Sequence, residues 1–131
     1  MSVNISTRPV IGITMGDAAG IGPEVVLRAL ETLPSKKDFR CVIIGDLVRL
    51  QRVSDSFAIG SDLIPYDSKN EAAPSPDAVE VFDLANLPDE IKTGIDSRTT
   101  GKAAGEYLVA AVRLWKERKI DGIATAPISK K

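Results

Sequence analysis

Met15-Gly16-Asp17-Ala18-Ala19-Gly20-Ile21-Gly22-Pro23-Glu24 is the stretch from which the fold is read. A short apolar run, Val10-Ile11-Gly12-Ile13-Thr14, precedes it and a helical repeat follows it. Three glycines, a carboxylate and a helix-starting proline in succession mark a strand-to-helix turn. Such a turn lets a ligand approach bare backbone, and it aims free N–H groups of a helix N-terminus outward. The plain alternative is a tight connection that needs positive φ. Spacing alone leaves the two readings level.

Working outward, Val10–Thr14 reads as a buried strand. Pro23 suits the first helical position, and Val26, Leu27, Leu30 and Leu33 repeat at helical spacing until Pro34. Cys41-Val42-Ile43-Ile44-Gly45 is a second buried strand, with Cys41 a small core hydrophobe. Asp46 then caps a short helix carrying Leu47, Leu50 and Val53. A further short strand is expected within Phe57–Tyr66, and Asn70–Pro76 reads as a surface loop. Val79-Glu80-Val81-Phe82 alternates as an edge or half-buried strand would. Leu87–Arg98 reads as a mobile polar loop, before a long helix capped by Thr99 or Thr100. One face of that helix carries Ala104, Tyr107, Leu108, Ala111, Leu114 and Trp115, with Tyr107 and Trp115 expected in the core. Lys116, Arg118 and Lys119 crowd its C-terminal end, favourable against the helix dipole. Gly122–Ala126 is the next strand.

Strands alternating with helices predict an α/β layered fold with a largely parallel sheet. Ligands in such sheets sit beyond the carboxyl ends of the strands. Both Gly16–Gly22 and Thr125–Lys130 fall at such ends.

The 131 residues suit one domain, and 17 basic against 18 acidic residues leave a net charge of -1. No basic stripe points to nucleic acid or to an anionic membrane, and no apolar run approaches the ~20 residues needed to cross a bilayer. Met1–Arg8 does not have the pattern of a signal peptide. Cys41 is the single cysteine, so an internal disulfide is excluded and a reducing cytoplasm is expected. The sequence has no histidine, hence neither a histidine base nor a histidine metal ligand, and no catalytic residue is assigned.

The glycine turn lacks the G-x-G start of the dinucleotide fingerprint, since Gly16 and Gly20 stand four apart. Gly94 is too far from Gly101-Lys102, and Ala103 replaces the Ser or Thr that a P-loop requires. Asp17 is placed to cap the helix, to support the turn or to hydrogen-bond a ligand hydroxyl. Glu24 complements the helix dipole, and Lys102 is expected in solvent. Thr125 and Lys130 are placed to meet a phosphorylated or acidic ligand.

Taken in order, these blocks resemble a known family. Met15–Glu24 is similar to the amino-terminal signature of the 4-hydroxythreonine-4-phosphate dehydrogenases. Gly101-Lys102-Ala103-Ala104 with Glu106-Tyr107-Leu108 resembles that family's next helix. Asp121–Lys130 resembles its Thr-Ala-Pro-Ile-Asn-Lys segment. Departures are Ala18, where the family usually has proline, and Ser129, where it has asparagine.

The resemblance implies a three-layer α/β/α fold like that of isocitrate and isopropylmalate dehydrogenases. Residues 1–131 would be the amino-terminal part of a two-domain enzyme. It implies NAD- or NADP-dependent, metal-assisted oxidation and decarboxylation of 4-phosphooxy-L-threonine on the route to pyridoxal phosphate, by a cytoplasmic homodimer. The divalent metal (zinc, magnesium or cobalt) would be bound by segments absent from this sequence, and the 131 residues alone would be inactive. Asp17, Gly20, Ile21 and Gly22 then become the cofactor-side set, with Ile21 the leading contact. Thr125 and Lys130 become the substrate side. D-Threonate or D-erythronate 4-phosphate as substrate, and a short non-catalytic interaction module, stand as alternatives.

Overall fold

Strands β1 (Val10–Thr14) and β2 (Arg40–Gly45) lie side by side in parallel, Ile13 opposite Ile43, in the computed structural model. It describes residues 9–32, 39–67, 78–91 and 98–127. Around this pair run β3 (Asp62–Pro65), β4 (Ala78–Asp83) and β5 (Gly122–Thr125). They form one parallel sheet in the order β3-β4-β2-β1-β5. Three helices connect them: α1 (Gly22–Thr32), α2 (Leu47–Ser56) and α3 (Arg98–Lys116).

The connections through α1 and α2 both run toward the β3 edge, whereas α3 carries the chain back across β2 and β1 to β5. Right-handed crossovers therefore put α1 and α2 on one face and α3 on the other. The contacts agree: α1 touches α2, and α3 rests on β1, β2 and β5. This is the three-layer α/β/α arrangement. Val26, Leu27 and Leu30 of α1, Leu50 and Val53 of α2, and Tyr107, Ala111 and Leu114 of α3 bury against the sheet. Each large apolar side chain so buried contributes about 1.5–3 kcal/mol.

Local chemistry sets the helix ends. Asp46 is extended and its Oδ1 accepts from Arg49 N at 2.9 Å, the expected N-cap of α2. Helix α2 closes with Ala58 at φ 53, Ile59 N donating to Ser54 O and Ala58 N to Asp55 O. Helix α3 repeats the device, with Arg118 at φ 61, Lys119 N donating to Leu114 O and Arg118 N to Trp115 O. Both are Schellman closures built on residues other than glycine.

Several expectations need correction. The 79–82 segment is no edge strand: β4 lies between β3 and β2, and Val79, Glu80 and Val81 are buried. Glu80 is tolerated there because Arg40, also buried, grips its carboxylate with Nε and Nη2 at 2.6 and 2.5 Å. Trp115 is not core; it is 53% exposed, while Tyr107 is fully buried. Thr99 and Thr100 lie inside the first turn of α3, so neither is the residue preceding it. Cys41 is only half-buried. Leu87 and Ile91, within the segment read as a mobile loop, pack against the core. Leu33, Pro34 and Asn70–Pro76 lie outside the described residues.

Candidate functional site

All five strands are parallel, so every carboxyl end lies on one rim of the sheet. Thr14 of β1 is level with Thr125 of β5 and with Ile44 of β2, which brings the glycine turn beside the segment after β5. Met15 N donates to Ile44 O and Ala126 N to Thr14 O, both at 3.1 Å, extending the ladder one step beyond the strands.

The turn is built by close packing. Gly16 sits at φ +76, and a Cβ there would overlap the carbonyl oxygen of Pro127. A Cβ at Gly22 would overlap Met15 O and crowd Pro127 O. Both positions need glycine for space, and Gly16 needs it for conformation as well. Asp17 is 3% exposed, and its Oδ1 accepts from Ala19 N at 2.8 Å while its carbonyl accepts from Gly20 N at 3.0 Å. Of the roles open to Asp17, the structure shows turn support. Arg49 of α2 donates from Nε to Ala18 O at 3.0 Å, and Asp46 N approaches Met15 Sδ at 3.4 Å. The turn is thereby tied to α2 as well as to the segment after β5.

Against that buried frame, Gly20 is exposed, a Cβ there meeting Asp17 only in ordinary van der Waals contact, and Ile21 is 64% exposed. Val25 N donates to Ile21 O, so Ile21 opens α1 and supplies no side-chain cap. Pro23 has no N–H, and Glu24 puts a carboxylate in the first turn, bridged to Arg28 at 2.7 Å. These features make the turn a poor phosphate cradle and a good apolar shelf, one that suits the flat, uncharged part of a ligand.

The sequence-derived set therefore divides. Asp17 and Gly22 build the turn from within, while Gly20 and Ile21 face outward. Thr125 is exposed at the end of β5, on the same rim. Lys130 lies outside the described residues. Beneath the turn, Thr14 Oγ1 is buried without a hydrogen-bond partner among the described residues. Tyr107 is buried in α3 with its hydroxyl donating to Asn86 Oδ1 at 2.9 Å. Burial, then the carboxylates of Asp46, Asp83, Glu106 and Asp17, hold its pKa well above the usual tyrosine range. Among the described residues no group of three or more His, Cys, Asp or Glu could hold a metal ion.

Sequence reading missed Arg49 and Asp83. Asp83 Oδ1 accepts from Leu47 N at 3.0 Å and from Ala85 N at 2.9 Å, joining the end of β4 to the start of α2. Apart from the turn contact of Asp83 with Ala85 N, neither residue carries a local signal, because each also serves backbone more than thirty positions away.

Fold and rim together define an α/β protein whose candidate site lies at the carboxyl ends of a parallel sheet. Residues 37–131 match the sequence model of the family described as "Pyridoxal phosphate biosynthetic protein PdxA", and the chain belongs to that family. A D-threonate 4-phosphate dehydrogenase from Cupriavidus necator is 38% identical over 122 residues, covering 93% of this chain and 37% of the relative. The crystal structure of a 4-hydroxythreonine-4-phosphate dehydrogenase from Burkholderia phymatum superposes with a TM-score of 0.85 at 39% identity, covering 94% of this chain and 37% of that one. A 4-hydroxythreonine-4-phosphate dehydrogenase from Klebsiella pneumoniae gives 0.83 at 30% identity, covering 95% and 38%. The chain thus spans under two-fifths of the length of these dehydrogenases. The family match begins after the glycine turn, but these three alignments leave too few residues uncovered to exclude it.

Proposed function

We propose that this chain forms one wall of the active-site cleft of an NAD- or NADP-dependent dehydrogenase acting on a small phosphorylated hydroxy acid. The observation that carries the reading is the exposure of Ile21 on a turn whose other anchoring residues are buried. An aliphatic side chain 64% exposed on so fixed a backbone is a preformed contact for a flat ring. Gly20 beside it leaves the backbone open to close approach. The nicotinamide cofactor would supply the hydride acceptor; this chain's residues hold and orient it. Asp17 and Gly22 fix the shelf from behind, and Thr125, with Lys130 further on, borders the substrate side. The divalent metal would be held outside this stretch, and no role here is assigned through it. A cytoplasmic homodimer belongs to the same reading.

Within the family, 4-phosphooxy-L-threonine is our first substrate and D-threonate or D-erythronate 4-phosphate the second; the D-threonate 4-phosphate relative favours the second. Affinity for NAD and NADP, measured by calorimetry with wild type and Ile21→Asp, tests the shelf. We expect at least a tenfold loss of affinity with unchanged melting temperature. Equal affinity in the variant would remove Ile21 from the site. Turnover of each phosphorylated acid by the protein that carries these residues decides the substrate.

A further inference from the structure

The geometry points to a nucleotide pocket in the cleft between α2 and residues 83–91, distinct from the Gly20–Ile21 shelf and independent of the reading given to it. Strands β2 and β4 are neighbours, but the chain after β2 enters α2 on one face and the chain after β4 leads to α3 on the other. Such a divergence opens a crevice at the carboxyl ends of the two strands, where open α/β sheets bind ligands. A cavity of about 220 Å³ occupies this crevice. That is below the ~300 Å³ of a typical small-molecule site, so it takes part of a ligand and leaves the rest in solvent.

The lining has three chemically different sectors. Leu87 and Ile91 give an apolar wall that packs against the core on its far side. Asp46 and Asp83 each use Oδ1 to hold backbone N–H groups, and their Oδ2 atoms have no hydrogen bond among the described residues. Arg49 and Arg52, one helical turn apart, line the same cleft. Arg52 donates from Nη1 to the carbonyl of Asp89 and makes no ion pair among the described residues. Burial and the neighbouring Arg52 charge push the pKa of Arg49 below its ordinary value, with the Asp46 charge opposing them.

An inorganic anion alone would use the arginines and be repelled by the aspartates. A sugar alone would bring no counter-charge to Arg52. A nucleoside monophosphate satisfies all three sectors: base on Leu87 and Ile91, ribose hydroxyls donating to Asp46 and Asp83, phosphate on Arg52 with Arg49 behind it.

The test is a titration of the isotope-labelled chain with AMP, followed by backbone amide NMR, with adenosine and inorganic phosphate as separate arms. We expect AMP to move the amide signals of Val48, Arg52, Leu87 and Ile91, and to bind more tightly than either part. Arg52→Gln should weaken AMP at least tenfold while leaving the rest of the spectrum folded, and Arg52→Lys should lie between. Arg28→Gln, on another exposed guanidinium, should change nothing. Shifts confined to Gly20–Gly22 would overturn this pocket while supporting the shelf. Millimolar AMP without effect on the cleft, or equal affinity in Arg52→Gln, would overturn it outright.

Discussion

Arg40 and Glu80 form a two-pronged ion pair between β2 and β4, at 2.6 and 2.5 Å, with both side chains buried. Tyr66 covers the guanidinium, its ring centroid 5.4 Å from Arg40 Cζ. Hydrogen bonding to Glu80 raises the pKa of Arg40 in spite of burial. Removing one partner leaves the other charge inside the sheet without its two-pronged counter-ion, so Glu80→Ala should cost about 3–5 kcal/mol in urea unfolding. Arg40→Met with Glu80→Leu should recover most of that loss, because the desolvation cost disappears with the pair. A double variant as unstable as Glu80→Ala would show that the pair itself, and not its desolvation, dominates.

The glycines of the turn should separate sharply. Gly16→Ala places a Cβ on the Pro127 carbonyl at φ +76 and should cost at least about 2 kcal/mol. Gly20→Ala meets nothing closer than 3.6 Å and should change stability by less than about 0.5 kcal/mol. Thermal unfolding of the two variants checks this. If Gly20→Ala also weakens nicotinamide-cofactor binding, its effect lies on the ligand and not on the fold.

Tyr107 gives the chain an alkaline sensitivity. Its hydroxyl titrates near pH 10 in the unfolded chain and well above its ordinary range in the folded one. The folded state then holds a proton that the unfolded state has released. The stabilisation is complete below about pH 10 and is lost as pH rises toward the folded value. Tyr107→Phe should flatten this part of the stability profile. It should also cost about 1 kcal/mol near neutrality, through the lost hydrogen bond to Asn86. A variant profile as steep as wild type would assign the alkaline loss to other groups.

Ala58 and Arg118 adopt left-handed conformations at the ends of α2 and α3, where glycine carries no Cβ penalty. Ala58→Gly and Arg118→Gly should each stabilise by about 0.5–1 kcal/mol, raising the urea midpoint without changing its slope. A lowered midpoint would mean that the unfolded-chain entropy of glycine outweighs the relieved strain.

Much of the architecture was legible because periodicity is local. The apolar runs at 10–14 and 41–45, Pro23, and the Asp46 cap each announce their element within a few residues. The α/β class and the shared rim of Gly16–Gly22 and Thr125 followed from alternation alone. Strand order was not legible. Glu80 in an alternating run reads as an edge or half-buried strand, and Arg40, forty positions earlier, explains its burial. Trp115 lies near the apolar stripe of α3, but in that turn Leu114 takes the buried side and Trp115 is left 53% exposed. At the site, the glycine spacing marked the turn but not the division within it. Which residues face inward depends on Pro127 and Arg49, and both lie far away in sequence.

That distance has a kinetic consequence. Asp121 Oδ2 accepts from Val10 N across 111 positions, and Pro127 closes against Gly16 a few residues further on. As the chain leaves the ribosome, β1 emerges first and can pair with β2, but its other edge stays open until β5 is made. Contacts of such high order form late and slowly. The glycine turn, earliest of these marked motifs to be synthesised, reaches its final shape only after β5 and Pro127 are in place, so the shelf it carries waits on a segment made more than a hundred residues later.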